Sequence, residues 1–237
     1  MTSRLRVATY NLHGCVGTDG RREVERIASV IRDLDADVVG LQEVDCRGAR
    51  GCSDQLAELS EATGLVSISG PTMESDDGFY GNALLSRWPV RRTYKVDISV
   101  DGREPRGLLE AVIEHEAVAF TFVVTHFGLH HRERRHQSEC LVERLRDKRP
   151  VVVVGDFNEW RPRGLTLVRL HRALGRAPRV RSFPSRLPLL ALDRIWARPH
   201  TALRDVHTAR SPLAKSASDH LPVMAELDVA AMSAPIS

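Results

Sequence analysis

The side chains best able to ligate a cation, move a proton or meet an anion stand at the ends of strand-like runs. Asn11 and His13 follow RVATY, Glu43 follows VVGLQ, His126 follows VAFTFVVT, and Asp156 and Asn158 follow VVVVG. Asp193 opens DRIWA, and Asp219 and His220 precede LPVMAELDV. An ionised carboxylate at the tip of a buried strand is costly unless something pairs with it. Such residues together suit a hard divalent cation, which prefers carboxylate, amide and water oxygens. Zinc would want more His or Cys in a tight local pattern, and no H-E-x-x-H is present. His126 and His130 have i,i+4 spacing but fall where a strand gives way to a loop. Glu74, Asp76 and Asp77 lack the ligand spacing of a calcium loop and read as solvated.

The elements that must position these groups follow from hydrophobic spacing. Val151 to Val154 are too few for a typical helix and suit a strand buried on both faces. The period of two puts Val152, Val154, Asp156 and Asn158 on one side if extended geometry persists. Val7, Thr9, Asn11 and His13 share a face in the first strand. Val24, Ile27, Ala28, Ile31 and Leu34 have helical spacing, and VVGLQEV then reads as a strand with Val39, Leu41 and Glu43 on one face. Strand, helix and strand make a right-handed crossover unit. A short helix over 54–63 ends at Gly64, and strands over 65–69 and 82–86 flank a polar loop, GPTMESDDG. Residues 91–125 read as an antiparallel meander, with helices expected over 136–148 and 163–174. SFPSRLPLL is a Pro-broken loop leading into the ALDRIWA strand. Residues 1–229 are expected to form one domain and 230–237 a flexible tail.

Composition narrows the class. The chain has 237 residues, 42% apolar and 27% charged, which is ordinary for a protein with one sizeable core. A net charge of +3 does not by itself call for nucleic acid. No run approaches the ~18 apolar residues of a membrane span, and MTSRLRVATY goes straight into a strand pattern, so the expectation is a cytoplasmic protein. Cys15, Cys46, Cys52 and Cys140 form no C-x-x-C pair. Cys46 and Cys52 could bridge a loop, but free thiols are the cytoplasmic expectation. Nothing in the pattern requires a protein partner.

TYNLHG, LQEVD, GNALLSRWP, THFGLH, GDFN, LDRIW and SDHLP together resemble the endonuclease/exonuclease/phosphatase family of metal-dependent phosphoesterases. They arrive in the family's order across residues 9–222. The resemblance implies an α/β protein with the DNase I-like fold, a four-layer sandwich of two packed mixed sheets flanked by helices. It also implies a Mg²⁺ cofactor, with Mn²⁺ as the alternative. Glu43 with Asn11 is similar to the principal metal site, with Asp219 close to it. Asp156 and Asn158 resemble the pair that orients or deprotonates the attacking water. His220 resembles the site histidine, Asp193 the acid that hydrogen-bonds it, and His126 a second histidine of some branches. Arg106 and Asn82 resemble phosphate-side contacts.

The expected chemistry is metal-assisted in-line attack of water on a phosphodiester or phosphomonoester. A cation at Glu43 would stabilise charge on the non-bridging oxygens, Asp156 would serve as base, and His220 held by Asp193 would stabilise charge or assist proton transfer. SFPSRLPLLALDRIW resembles small bacterial and sphingomyelinase-like members, so the expected substrate is a phospholipid head group or a small phosphodiester. His13 stands where DNA-repair members carry an acid. The competing reading is a DNA or RNA endonuclease, with Arg132, Arg134 and Arg135 holding a phosphate backbone. A third reading is a non-catalytic interaction module on the same fold.

Overall fold

Two β-rich halves, each with strands alternating between a sheet–sheet face and a helix-covered face, account for the architecture. The computed structural model describes residues 4–48, 54–115, 118–148 and 150–233. In the first half, β1 (Arg4–Asn11), β2 (Val38–Asp45), β3 (Val66–Ser75) and β4 (Gly78–Ser86) join two later strands, β10 (Leu203–Thr208) and β11 (Val223–Asp228). Their order is β10-β11-β1-β2-β4-β3. In the second half, β5 (Val90–Asp97), β6 (Gly107–His115), β7 (Val118–His126), β8 (Val151–Asp156) and β9 (Asp193–Arg198) lie in sequence order. Each sheet holds one parallel pair, β1 with β2 and β7 with β8, which makes both mixed.

The sheets pack face to face through Leu5, Val7, Val38 and Leu84 on one side and Phe122, Val124, Val152, Val154 and Ile195 on the other. Gly40 lies where a Cβ would stand 2.4 Å from Val154 Cγ2, so only glycine allows this approach of the sheets. Helices α1 (Val24–Leu34), α2 (Gln55–Thr63) and α5 (Pro212–Ala217) cover the outer face of the first sheet with Tyr10, Val39 and Leu41 beneath them. Helices α3 (His131–Arg144) and α4 (Leu165–Leu174) cover the second sheet over Val123, Val153 and Trp196. The result is helix, sheet, sheet, helix: the expected four-layer sandwich.

Several elements differ from the sequence reading. GPTMESDDG is not an open loop: β3 and β4 pair as a hairpin from Val66 opposite Ser86 to Ser75 opposite Gly78, with Asp76 and Asp77 in the turn. Helix α3 begins at His131 rather than His136, so the basic stretch forms its first two turns. Residues 230–233 are not a free tail; Val229–Ser233 form a last helix, α6, with Val229 and Met232 buried. Residues 234–237 and Cys52 lie outside the described residues. Cys15, Cys46 and Cys140 are free thiols. Among the described residues no helix is long and apolar enough to cross a membrane.

Candidate active site

The strand directions bring the polar tips to one end of the sandwich. β1, β2, β7 and β8 finish there, while their antiparallel neighbours β9 and β11 start there. In the second sheet, His126, Asp156 and Asp193 are consecutive cross-strand neighbours on β7, β8 and β9. The residues that follow two of them, Phe127 and Phe157, turn to the outer core. Their rings stack edge-on at 4.9 Å, and Phe157 meets Trp196 at 4.7 Å. Such aromatic contacts contribute about 0.5–1.5 kcal/mol each beyond simple burial and pin the strand ends that carry the polar groups.

Glu43 reaches the site by a different route. Strict alternation would put it on the helix face with Val39 and Leu41. The pairing of β2 with β4 shifts between Leu41 and Val44, and Glu43 adopts φ 57° inside that bulge. The extra residue turns the carboxylate toward the site, where its Oε1 accepts from Asn11 Nδ2 at 2.9 Å. Asn11 Nδ2 also donates to Asp156 Oδ2 at 3.2 Å, while its Oδ1 accepts from the His13 amide at 3.0 Å. The amide nitrogen, not the oxygen, therefore faces the acids. Asn11 joins the two carboxylates of opposite sheets.

Asp156 is the centre of the constellation. Its Oδ2 lies 3.5 Å from His126 Nε2 and 3.6 Å from His220 Nε2, and its Oδ1 accepts from the Asn158 backbone amide at 2.9 Å. Burial pushes its pKa up to about 6, against the pull of nearby His220. His220 Nδ1 donates to Asp193 Oδ2 at 2.9 Å, and the Ser182 hydroxyl donates to the same oxygen. Burial alone would lower the His220 pKa, but Asp193 and Asp156 outweigh it and push the value up to about 10. His126 is the opposite case. Burial, then Arg106 and His220, hold its pKa well below the ordinary value. Donors face both ring nitrogens, Arg106 Nη1 at 3.4 Å and Asn158 Nδ2 at 3.1 Å, which further disfavours the charged ring. One carboxylate thus sits between a neutral histidine and a cationic one.

The remaining expected residues are placed unevenly. Strand β8 ends at Asp156, so Asn158 does not continue the alternation; its backbone is left-handed at φ 49°, yet its amide still reaches His126 and the Phe127 carbonyl. Asp219 is partly exposed, with His13 Nδ1 3.9 Å from its Oδ1. His13 itself is exposed in a 3-10 turn after β1. Arg106 is buried and grips Glu104 with both terminal nitrogens at 3.0 Å. Asn82 donates to the Gly107 carbonyl at 3.0 Å and is buried behind the wall rather than on it. Glu104, Ser182 and Tyr80 were not anticipated. Ser182 could have been suspected from the polar residues inside SFPSR, whereas Tyr80 and Glu104 carry no signal in local pattern.

These groups open onto a cleft of about 490 Å³ lined by Glu43, Tyr80, Glu104, Arg106, His126, Asp156, Asn158 and His220, with Leu129, Trp160, Phe183, Leu190 and Leu192 on its apolar side. The donor set fits a hard divalent cation. Glu43 and Asp219 offer carboxylate oxygens, and among the described residues neither is ion-paired to an Arg or Lys. Asp156, Asp193 and His220 also bring ligand atoms within 4.8 Å of one another. That trio is already satisfied by a charge-assisted hydrogen bond, which a cation would have to displace, so Glu43 is the better anchor.

The fold is a four-layer sandwich whose strand ends gather acids, amides and histidines that could hold a divalent cation, and comparison with known proteins gives its family. The model described as the Endonuclease/Exonuclease/phosphatase family matches residues 8–220, and the chain belongs to that family. The Escherichia coli (strain K12) protein designated Uncharacterized protein YbhP is 34% identical over 248 residues, covering 94% of this chain and 95% of its own. The crystal structure of an endonuclease/exonuclease/phosphatase from Beutenbergia cavernae DSM 12333 is similar at TM-score 0.75 and 25% identity, over 95% of this chain and 71% of that one. A family protein from Bacteroides thetaiotaomicron shares the fold at TM-score 0.80 and 19% identity, over 96% of this chain and 98% of that one.

Proposed function

We propose that the chain is a Mg²⁺-dependent phosphodiesterase acting on an amphiphilic substrate such as a phospholipid head group, by in-line attack of water. The observation that carries the reading is Asp156, held between a neutral and a cationic histidine beside the carboxylate of Glu43. Glu43 and Asp219 would hold the cation, with Mn²⁺ as the alternative, and its chemistry there is neutralisation of charge on the phosphoryl oxygens. Asp156, with a pKa near 6, is ionised at neutral pH and suited to accept a proton from the attacking water. Asn158 and neutral His126 fix the geometry around that carboxylate. His220 presents a protonated Nε2 to the phosphoryl group or leaving oxygen, and Asp193 keeps its ring in place. Arg106 meets phosphate only by exchanging Glu104, and Asn82 acts by anchoring Gly107.

The cleft rim supports the amphiphilic substrate. Leu129 and Trp160, 70% and 48% exposed, line the cleft with Phe183, Leu190 and Leu192, and Leu187 and Leu189 of the same loop are 65% and 53% exposed. A nucleic-acid groove would instead be lined by free cations. Here Arg106 is the one Arg or Lys among the lining residues, and it is already paired. Arg134, one of three arginines that favoured a nuclease, is buried against Glu159 and the Leu129 carbonyl.

Purified protein with Mg²⁺ should hydrolyse bis-p-nitrophenyl phosphate and lose that activity on Glu43→Ala or His220→Ala. Unchanged turnover in both variants would sink the enzymatic reading and leave the interaction module. Hydrolysis of a short-chain phospholipid with no plasmid nicking is the expected substrate split; nicking without lipid turnover reverses it.

A further inference from the structure

Behind the site, on the outer face of β9, a second cleft of about 470 Å³ is lined by His171, Arg176, Arg179 and Arg194 together with Pro162, Leu167, Ala177 and Pro178. Strand alternation separates the two clefts: Asp193 and Ile195 face the inter-sheet side, whereas Arg194 and Trp196 face α4. Arg194 is only 2% exposed, yet no carboxylate pairs with it among the described residues. Its Nη2 donates to the Ala191 carbonyl at 3.2 Å, and its Nε is buried without an acceptor. A guanidinium carries five N–H donors, and a buried one without a counter-ion is costly.

The neighbouring acids, Asp193 and Glu159, act on Arg194 through space, but among the described residues neither makes an ion pair with it. Asp193 is held by His220 and Ser182 on the other side of the strand, and Glu159 is paired with Arg134. Arg176 and Arg179 add two exposed guanidiniums to the same wall, and no ion pair engages either among the described residues. The carbonyl end of α4 contributes about half a negative charge. That is less than one of the three guanidiniums. His171 is pre-set as a donor: its Nδ1 accepts from Trp196 Nε1 and from the Ala177 amide, each at 3.3 Å, so its proton sits on Nε2. Burial first, then Arg194 and Arg176, lower its pKa, against a hydrogen bond with the Gly175 backbone.

We propose that this cleft is a second ligand site, separate from the catalytic one, that binds a phosphate-type dianion through Arg194, Arg179, Arg176 and His171. The shared chemistry is a tetrahedral oxyanion with several acceptor oxygens, supplied by inorganic phosphate or by a phosphomonoester whose organic part lies on Pro162, Leu167 and Pro178. Forked guanidinium donors match such an anion. The cleft is several times the volume of one phosphate, which favours the monoester.

The test is a titration of ¹⁵N-labelled protein, without divalent metal, followed at the ring signals of His171 and assigned by His171→Gln. Inorganic phosphate and glycerol 3-phosphate are the probes, with sodium chloride at matched ionic strength as control. Saturable movement of the His171 signals by either phosphate but not by chloride is expected, and the tighter of the two identifies the source. Arg179→Gln, at an exposed position, should weaken binding roughly tenfold or more, and Arg194→Gln should abolish it. His220→Ala should leave it intact. The proposal is overturned if His171 does not respond, if both arginine variants bind as the parent does, or if His220→Ala removes the response.

Discussion

Asn11 and Glu43 meet at 2.9 Å across neighbouring parallel strands because a bulge, not alternation, aims the glutamate. The same Asn11 amide reaches Asp156 in the opposite sheet, so one side chain sets the spacing of two acids. Groups that orient a metal ligand typically contribute 10–100-fold to affinity or activity. Asn11→Ala should therefore raise the Mg²⁺ concentration for half-maximal activity by about 10–100-fold with little change in stability. Asn11→Ser should recover part of the loss. A Mg²⁺ dependence identical to the parent would remove Asn11 from the site.

His220 and Asp193 give a prediction about pH. The folded-state pKa of His220 is raised to about 10 from an ordinary value near 6.5. Stabilisation by the imidazolium is thus fully present below the unfolded value and is lost as pH rises through about 10. Asp193→Asn removes a principal source of that rise. The alkaline limb of activity should move to lower pH, and kcat should fall by about 10²–10⁴. Conformational stability should lose its decline between neutral pH and 10, since the variant no longer holds a strongly bound proton there. A pH–rate profile and denaturation at several pH values check both, and an unmoved alkaline limb contradicts the assignment.

The strand tips were legible in the sequence because buried runs ending in acids, amides and histidines are conspicuous against apolar alternation. Asp156, Asp193 and His220 fall where that pattern puts them. Glu43 arrives only through a left-handed bulge residue, and Asn158 only through another, and no alternation rule foresees either. The early start of α3 was hidden for a related reason. The buried residues of its first two turns are Glu133, Arg134, Gln137 and Ser138, so the hydrophobic period is silent where polar groups do the packing. Strand β10 is an edge strand with a polar, exposed sequence and carried no signal either. Arg106 and Asn82 read as phosphate-side contacts from residue type and resemblance, but the partners the fold gives them, Glu104 and the Gly107 carbonyl, depend on tertiary packing.

Gly155 lies in β8 one residue before Asp156, with φ 155° and a hypothetical Cβ 2.0 Å from the Thr125 carbonyl oxygen. The obstacle is backbone of the paired strand, which cannot move without breaking the ladder that carries His126 and Asp156. Gly155→Ala should therefore cost about 2–4 kcal/mol, from backbone strain and overpacking together. Gly102→Ala is the control. Its φ of 70° is also left-handed, but nothing lies within 4 Å of an added Cβ, so the cost should stay near 1 kcal/mol. Urea denaturation of the two variants measures the difference, and equal costs would show that β8 tolerates displacement.

Arg134 separates a structural arginine from a surface one. Its side chain and that of Glu159 are 6% and 4% exposed, and the guanidinium also holds the Gly128 and Leu129 carbonyls ahead of α3. Removing it takes away the one ion-pair partner of buried Glu159 among the described residues, a class of change that costs about 3–5 kcal/mol. Arg134→Ala should show that loss in denaturation. Arg135, which pairs with Glu139 at the surface, should change stability by under about 0.5 kcal/mol when replaced by Ala. Under the nuclease reading the order differs: Arg132→Ala, Arg134→Ala and Arg135→Ala would each flatten the salt dependence of nucleic-acid binding by a similar increment. Denaturation and salt-dependent binding of the same three variants decide it, because a buried arginine moves stability and a phosphate-contacting one moves the salt slope.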